Sequence, residues 1–229
     1  MAVTYSQNGV IVKEGEVPHQ YEPQYDVDLL LGGRAYRTVR VGTRIWLAEN
    51  LVYRWNNLSS NMLDGNNSSP AAAYYNDDES TYGVNGLIYN GFARIELKQL
   101  ISGGLLSNWR IPTYQDFDSL ASAFITEYLN PFSGTPNFGS NSMVKNLKSS
   151  SLWDGKNAFG FNLYRSGYYE SIGGANNWSG INLYTCMWCD DTYYSASHYD
   201  WGNDTYLVER NTANDNRFGC VIRLCKDIT

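Results

Sequence analysis

The sequence predicts an α+β domain, rich in loops and short strands, that follows an N-terminal hairpin and extended arm. Three observations predict it. Aromatic residues make up 15% of the 229 residues and charged residues only 17%, which disfavours both a disordered chain and a coiled coil. Short strand-like runs are frequent, and only two segments have a helical pattern. We assign residues 1–33 to the arm and 34–229 to the domain.

The arm is predicted to begin with a hairpin. Two short alternating runs, 3–5 and 10–12, flank Asn8-Gly9, a dipeptide typical of two-residue hairpin turns. Residues 18–25 contain two prolines and no apolar period, which predicts extended chain. Because such elements bury little surface by themselves, we expect the arm to dock on a partner or on a second copy of the chain. The predicted docking residues are apolar or aromatic: Tyr5, Val10, Val12, Tyr21 and Tyr25.

The domain is predicted to open with a second hairpin. Residues 36–41 and 44–47 are strand-like and are joined by Gly42-Thr43. Alternation along the first strand places Thr38 and Arg40 on the solvent face.

Two segments have the pattern of a helix. The apolar residues within 94–101 follow a helical period that ends before Gly103-Gly104, which predicts a short helix. Thr113 is placed as an N-cap with Asp116 at the third helical position, and apolar residues follow at core-facing positions. We predict the segment after Thr113 to be the main helix.

Beyond Pro131 the chain is rich in glycine, asparagine and aromatic residues. Short strands are predicted at residues 160–163, 183–188, 205–208 and 219–224. Few helices among many short strands are typical of the α+β class.

The four cysteines admit several interpretations. Cys186 and Cys189 form a CxxC, and Cys220 and Cys225 follow at a spacing compatible with a zinc site. Alternation sends Cys220 and Cys225 to opposite faces of a strand, which argues against a shared ion. A redox CxxC normally starts a helix, whereas this one lies in a strand-like run. We therefore favour buried thiols or a disulfide over a metal site or a thiol-dependent activity.

The net charge is −6 and the Lys and Arg residues are scattered, so neither nucleic acid nor an anionic membrane is an expected partner. Apolar runs stay well short of the ~18 residues of a membrane-spanning helix, and the first residues lack the features of a secretory leader, so no membrane insertion is expected. His19 and His198 have no recognisable catalytic partner, and no phosphate loop or nucleophile motif occurs. We predict no enzyme activity, no catalytic residue, no metal and no cofactor.

A binding function is better supported by the sequence. Residues 184–217 mix rigid aromatic side chains with short polar ones, as paratopes do, and aromatic faces also suit sugar rings. Aromatic side chains that merely cover a core are an equal alternative. The predicted ligand-binding residues are Trp178, Trp188, Asp190, Tyr193, Tyr194, His198, Tyr199, Trp201 and Asn203.

A series of motifs spans residues 36–227. They are YRTVRVG at 36–42, WLAENL at 46–51, YG at 82–83, LIYN at 87–90, WRIPT at 109–113, LKS at 147–149 with Trp153, GFN at 160–162 with Gly167, Trp188, and GCVIRLCKD at 219–227. In this order they resemble the Fibrobacter succinogenes major paralogous domain, a family of Bacteroidetes and their phages. The resemblance implies a variant of the C-type lectin fold. The family usually has Ser-Ser-Thr after the tryptophan that corresponds to Trp188. This chain has Cys189-Asp190-Asp191 there, in a predicted surface loop.

Together, the resemblance, the arm and the aromatic surface lead to a hypothesis about function. The chain is a non-enzymatic surface protein of a tailed phage of Bacteroidetes, such as a head or tail fibre, a decoration protein or a receptor-binding protein. Its arm anchors a homo-oligomer to a capsid or tail protein, and its lectin-like domain binds a host-surface glycan or protein. The alternative is a bacterial cell-surface adhesin or a lipoprotein-derived binding domain.

Overall fold

The structure is a computed structural model. It describes residues 5–7, 10–12, 25–62, 69–117, 119–120, 147–149, 151, 157, 160–172, 175–181, 183, 185–190, 196–201, 208–213 and 216–228.

Short strands dominate the described residues. In chain order the strands are β1 (Tyr5–Gln7), β2 (Val10–Val12), β3 (Tyr25–Leu31), β4 (Arg34–Val41), β5 (Arg44–Leu47), β6 (Ala72–Ala73), β7 (Ile88–Asn90), β8 (Tyr168–Ile172), β9 (Ala175–Ser179), β10 (Thr185–Cys189), β11 (Ala196–Trp201), β12 (Val208–Ala213), β13 (Gly219–Val221) and β14 (Cys225–Asp227). The helices are α1 (Glu79–Tyr82), α2 (Gly91–Leu100), which continues as a π-type turn over Ile101–Leu105, and α3, seen at residues 114–117 and 119–120. None of the described helices is long and apolar enough to cross a bilayer.

The described strands form three sheets. The largest has the order β12-β11-β10-β13-β7-β6, and β8 joins it by pairing with β13 and with β9. The second has the order β14-β5-β4-β3, and β1 and β2 form a separate pair. The β10–β13 pairing is parallel, through Met187 and Val221. Sheets combined with a few short helices confirm the α+β class.

The N-terminal residues divide differently from the predicted arm. β1 pairs antiparallel with β2, with Tyr5 opposite Val12, which is the register that a turn at Asn8-Gly9 requires. Tyr21 lies outside the described residues. β3 was assigned to the arm, but it pairs along its length with β4 and buries Leu29 and Leu31 in the domain core. The arm–domain boundary at residue 33 is therefore wrong, because residues 32–33 are the turn between β3 and β4, and Tyr25 belongs to the domain sheet.

Two clusters of buried side chains form the core. The Trp46 cluster includes Val39, Val41, Trp46, Phe117, Phe161, Met187, Cys189 and Cys225. The Trp188 cluster includes Tyr36, Leu47, Tyr89, Leu97, Cys186, Trp188, Cys220 and Ile222. Consecutive residues of β10 alternate between the two clusters, and all five are buried. The large sheet therefore carries packed side chains on both faces at β10.

The hairpin of β4 and β5 is confirmed, but one of its predicted orientations is wrong. Arg40 is exposed as expected, whereas only 2% of Thr38 is accessible. Thr38 shares a strand face with Tyr36, which lies in the Trp188 cluster, while Val39 points to the Trp46 cluster. Alternation could not reveal that both faces of β4 are covered at this point.

Both predicted helices exist. α2 begins at Gly91 rather than at Arg94, because the Oδ1 atom of Asn90 accepts the N–H of Ala93 at 2.8 Å and caps the helix earlier. At α3 the capping box is confirmed. The Oγ1 atom of Thr113 accepts the N–H of Asp116 at 3.2 Å, and the Oδ2 atom of Asp116 accepts the N–H of Thr113 at 2.9 Å.

The cysteines fall on two sides of the large sheet. Cys186 and Cys220 are joined as a disulfide between the parallel neighbours β10 and β13, with Cα atoms 5.0 Å apart. Cys189 and Cys225 are buried thiols that form no disulfide. Cys220 and Cys225 belong to different clusters, as the alternation argument predicts. The preference for buried thiols and a disulfide is confirmed.

Only the first half of the predicted strand 219–224 is a strand. β13 belongs to the large sheet, and after residues 222–224 the chain continues as β14 in the four-stranded sheet. The fully buried Arg223 lies at this crossing and donates to the Oδ1 atom of Asn50 at 2.7 Å and to the carbonyl oxygens of Phe161 and Asn162. A buried guanidinium with three acceptors thus links the crossing to two other segments.

The other predicted strands have mixed outcomes. The prediction at 183–188 corresponds to β10, and Val208, the last residue of the prediction at 205–208, begins β12. Within 160–163 the described chain makes an isolated bridge between Leu163 and Lys148 instead of a strand.

Candidate functional site

Trp178 lies on β9, opposite Tyr169 of β8. Its ring centre is 4.9 Å from that of Tyr169 and 5.5 Å from that of Tyr75, whose ring in turn contacts Tyr82 at 5.1 Å. Trp178 and Tyr75 are half-buried against the Trp46 cluster. This aromatic group therefore covers the core with one side and reaches the surface with the other.

Trp188 is not a surface residue. It is fully buried on β10, its indole N–H donates to the carbonyl oxygen of Tyr89 at 2.7 Å, and its ring contacts Phe218. The prediction that Trp188 binds a ligand is wrong, because the large sheet is covered on both faces where Trp188 lies.

Three predicted ligand-binding residues lie on β11, next to β10. His198, Tyr199 and Trp201 occupy register positions opposite Trp188, Met187 and Thr185 of β10. Tyr193, Tyr194 and Asn203 lie outside the described residues. For these six positions, ligand binding stays a prediction.

Asp190 directly follows β10, in the segment that was predicted to be a surface loop. Its side chain is only 18% exposed, and its backbone N–H donates to the carbonyl oxygen of Pro112 at 2.8 Å. Its Oδ1 atom lies 2.9 Å from the Nζ atom of Lys98 and 3.7 Å from the Nη1 atom of Arg94. Asp190 is thus a fixed, partly buried carboxylate rather than a loop residue in free solvent.

Arg94 supports Asp190 from within the protein. Arg94 is buried, with only 7% of its surface exposed, its guanidinium lies 5.5 Å from the centre of the Trp188 ring, and its Nη1 atom donates to the carbonyl oxygen of Cys189. Burial lowers the pKa of Arg94, and the negative charge of Asp190 opposes that shift. A buried cation needs such a partner, so Arg94 holds the carboxylate of Asp190 in place.

A pocket of about 280 Å³ opens beside Asp190. The end of α2 and its π-type turn form one side, and the segment 106–111 forms another. Its polar lining is Lys98, Ser102, Asn108, Arg110 and Asp190, and its apolar lining is Ile101, Leu106, Trp109 and Ile111. The pocket therefore combines a carboxylate, two cations and neutral hydrogen-bonding groups with an apolar wall.

Arg110 is held in its position by ion pairs behind the pocket. Its guanidinium contacts Asp116 at 2.7 Å and Asp227 at 3.1 Å, and Arg44 also contacts Asp116 at 2.8 Å. Burial would raise the pKa of Asp116, but the hydrogen bonds from Arg110, Arg44 and Thr113 hold it well below its usual range. The pocket wall is therefore tied to α3, β5 and β14.

The described side chains include types that can ligate metals, thiols and hydrogen-bonding groups. Among the residues that the structure describes, no group of three or more His, Cys, Asp or Glu side chains is placed to hold a metal ion. Burial raises the pKa of the Cys225 thiol far above its usual range, so this thiol is a poor nucleophile. The pocket offers hydrogen-bond donors and an acceptor at fixed positions, as small-molecule sites do.

Sequence reasoning found Asp190 but missed the residues around it. Lys98 is in the last turn of α2, and Trp109 and Arg110 belong to a family motif. These three residues lie some 80 to 90 residues before Asp190. No local sequence pattern indicates that they line the same pocket as Asp190. The exposed Lys98 and Gln99 at the end of α2 were a local hint of an accessible polar helix end.

The chain has an α+β fold with two larger sheets and a polar pocket where β10 ends. The family model of the Fibrobacter succinogenes major domain matches residues 39–226. The chain belongs to this family, as its motifs indicated. No curated protein and no solved structure gives a significant match.

Proposed function

We propose that the chain is a non-enzymatic adhesion protein on the surface of a tailed phage of Bacteroidetes, whose domain is a loop-rich variant of the C-type lectin fold. The observation that carries this proposal is the pocket beside Asp190, where a partly buried carboxylate and an ammonium group stand next to an apolar wall. Such a pocket fits the contact of a binding protein with a polar surface group of the host.

Other features support the same function. The half-buried rings of Tyr75, Tyr82 and Trp178 pack over the buried Tyr169 and offer aromatic surface of the kind that stacks on sugars. The small β1–β2 pair cannot bury much surface by itself and fits a role as an anchor on a capsid or tail protein. Anchoring several copies side by side would strengthen individually weak contacts.

Immunogold electron microscopy tests where the protein acts. An antibody raised against residues 36–229 is applied to purified phage and to uninfected cells of its host. We expect labelling at a fixed position on the particles. Labelling confined to bacterial envelopes would replace the phage assignment by the alternative of a cell-surface adhesin.

A cell-binding assay tests whether the pocket makes the contact. The fluorescently labelled full-length chain is incubated with host cells, and bound protein is counted by flow cytometry. The double variant Lys98→Gln with Asp190→Asn should bind at least about tenfold more weakly than the wild type, because it removes the charges of Lys98 and Asp190 and leaves only the paired guanidinium of Arg110 in the described lining. The matched control is Arg40→Gln, which removes an exposed charge of β4 outside the pocket and should bind normally. Equal binding by the double variant would place the contact elsewhere.

A further inference from the structure

The described charged groups at the pocket include one more cation than carboxylates, although the protein as a whole is acidic. The chain has a net charge of −6. Among the residues that the structure describes, four cations and three carboxylates line the pocket or contact its lining: Arg94, Lys98, Arg110 and Lys226 against Asp116, Asp190 and Asp227. This local excess of positive charge favours a ligand that carries a negative charge.

Lys98 is the cation best placed to meet such a ligand. The guanidinium of Arg110 is already engaged by Asp116 and Asp227, and Arg94 is buried behind Asp190. The side chain of Lys98 is 53% exposed and lines the pocket, and its ammonium group has three N–H donors, of which the ion pair with Asp190 needs one. Lys98 can therefore donate a hydrogen bond to an anionic ligand and keep its ion pair with Asp190.

Asp190 sets a second requirement on the ligand. An ionised carboxylate is only a hydrogen-bond acceptor, so it repels an anionic group and needs a donor such as a hydroxyl. Asn108 and Ser102 add an amide and a hydroxyl to the same lining. The ligand must therefore carry hydroxyl groups and an anionic group a short distance apart.

The size and wall of the pocket limit the ligand to one ring. Its volume of about 280 Å³ is near the lower limit of the ~300–1,000 Å³ usual for ligand pockets. Ile101, Leu106 and Trp109 supply the apolar part of the lining, of which Ile101 is the most accessible because Leu106 and Trp109 are largely buried, so a small ring can contact it by an edge. Trp109 is held in place by Lys226, whose ammonium lies 5.1 Å from the centre of its ring.

We infer that the pocket binds an acidic sugar, a single uronic-acid-type residue of a surface glycan, with its carboxylate on Lys98 and its hydroxyls on Asp190 and Asn108. This assignment rests on the proposed function and names the class of ligand for the same site. The closest competitor is a free amino acid, whose ammonium would face Asp190 and whose carboxylate would face Lys98.

Two sugars that differ in one group test the assignment. Methyl β-D-glucuronide and methyl β-D-glucoside are titrated into the full-length chain, and binding is measured by isothermal calorimetry and saturation-transfer NMR. The wild type should bind the glucuronide about tenfold more tightly, as expected for one partly exposed charge-assisted hydrogen bond. This preference should shrink in 1 M NaCl, because salt screens exposed charges.

Variants identify the residues that act. Lys98→Gln should lose the preference for the glucuronide while it still binds both sugars weakly, and Lys98→Arg should restore the preference. Asp190→Asn should weaken the binding of both sugars. The control Arg40→Gln should bind both sugars as the wild type does. Three results would overturn the inference. They are equal binding of both sugars by the wild type, a preference for the glucuronide that Lys98→Gln keeps, and tighter binding of alanine than of the glucuronide by the wild type.

The cell-binding assay separates this inference from the proposed function. If the wild type binds host cells through the pocket but does not prefer the glucuronide, only the acidic-sugar assignment is overturned. If the wild type binds neither host cells nor either sugar, both proposals are overturned.

Discussion

The guanidinium carbon of Arg223 lies 4.4 Å from the centre of the Phe161 ring, where the chain crosses from the large sheet to the four-stranded sheet. Both side chains are fully buried. Arg223 also donates to the carbonyl oxygens of Phe161 and Asn162. It therefore contacts this distant segment both at the ring of Phe161 and at the backbone.

Replacing Arg223 should be among the most damaging single changes in the domain. Arg223→Met fills part of the volume but leaves the Oδ1 atom of Asn50 and two backbone carbonyls without their donor. We expect a loss of about 3 kcal/mol in the free energy of unfolding, measured by urea denaturation. Arg40→Met, at an exposed position of β4, should change it by less than about 0.5 kcal/mol. Equal effects of the two variants would contradict the role assigned to Arg223.

The ion pairs around Asp116 should make stability depend on pH. The folded state lowers the pKa of Asp116, so the ionised form contributes stability above the unfolded pKa of about 3.9, and this contribution is lost as the pH falls toward the folded pKa. Asp116→Asn should cost about 2 kcal/mol at pH 7, and the difference from the wild type should shrink between pH 4 and pH 2.5. Thermal unfolding at these pH values measures it. A difference that stays constant down to pH 2.5 would contradict the shifted pKa.

Thiol titration tests the arrangement of the cysteines. In denaturant without reductant, Ellman's reagent should detect two thiols, from Cys189 and Cys225, and after reduction it should detect four. In the native protein neither of these thiols should react within minutes, because both are buried and burial raises the pKa of Cys225. Rapid reaction of either thiol in the native state would reopen the possibility of a thiol-dependent activity.

Variants of Trp188 and Lys98 should show that stability and cell binding depend on different residues. Trp188→Phe removes the hydrogen bond to the carbonyl of Tyr89 and opens a cavity, so it should lower the free energy of unfolding by about 2 kcal/mol without changing cell binding while the protein is folded. Lys98→Gln should do the opposite: it weakens binding and changes stability by less than about 0.5 kcal/mol. Urea denaturation and the cell-binding assay compare the two. A folded Trp188→Phe variant with reduced binding would return this residue to the binding site.

Local signals in the sequence predicted local structure well. The Thr113–Asp116 capping box and the Gly42-Thr43 turn lie where the sequence predicts them, because each depends only on neighbouring residues. The family motifs likewise identified the family. The α+β class followed from the number of short strands.

What the sequence did not reveal depends on contacts between distant segments. The burial of Thr38 requires knowing that both faces of β4 are covered. The end of the strand at Val221 requires knowing that the chain leaves the large sheet there and joins the other sheet from Cys225. The pocket brings Lys98 and Trp109 to Asp190 from a distant part of the chain. Periodicity reports which residues share a face but not what lies opposite that face.

The place of β13 in the sheet determines when the domain can be completed. β13 lies between β10 and β7, and β14, the edge of the other sheet, follows it almost at once near the C-terminus. During synthesis, β7 and β10 therefore leave the ribosome without the strand that will lie between them, and they stay unpaired at that edge until the last residues follow. A product terminated before Gly219 would leave unfinished edges in both sheets and be prone to aggregation.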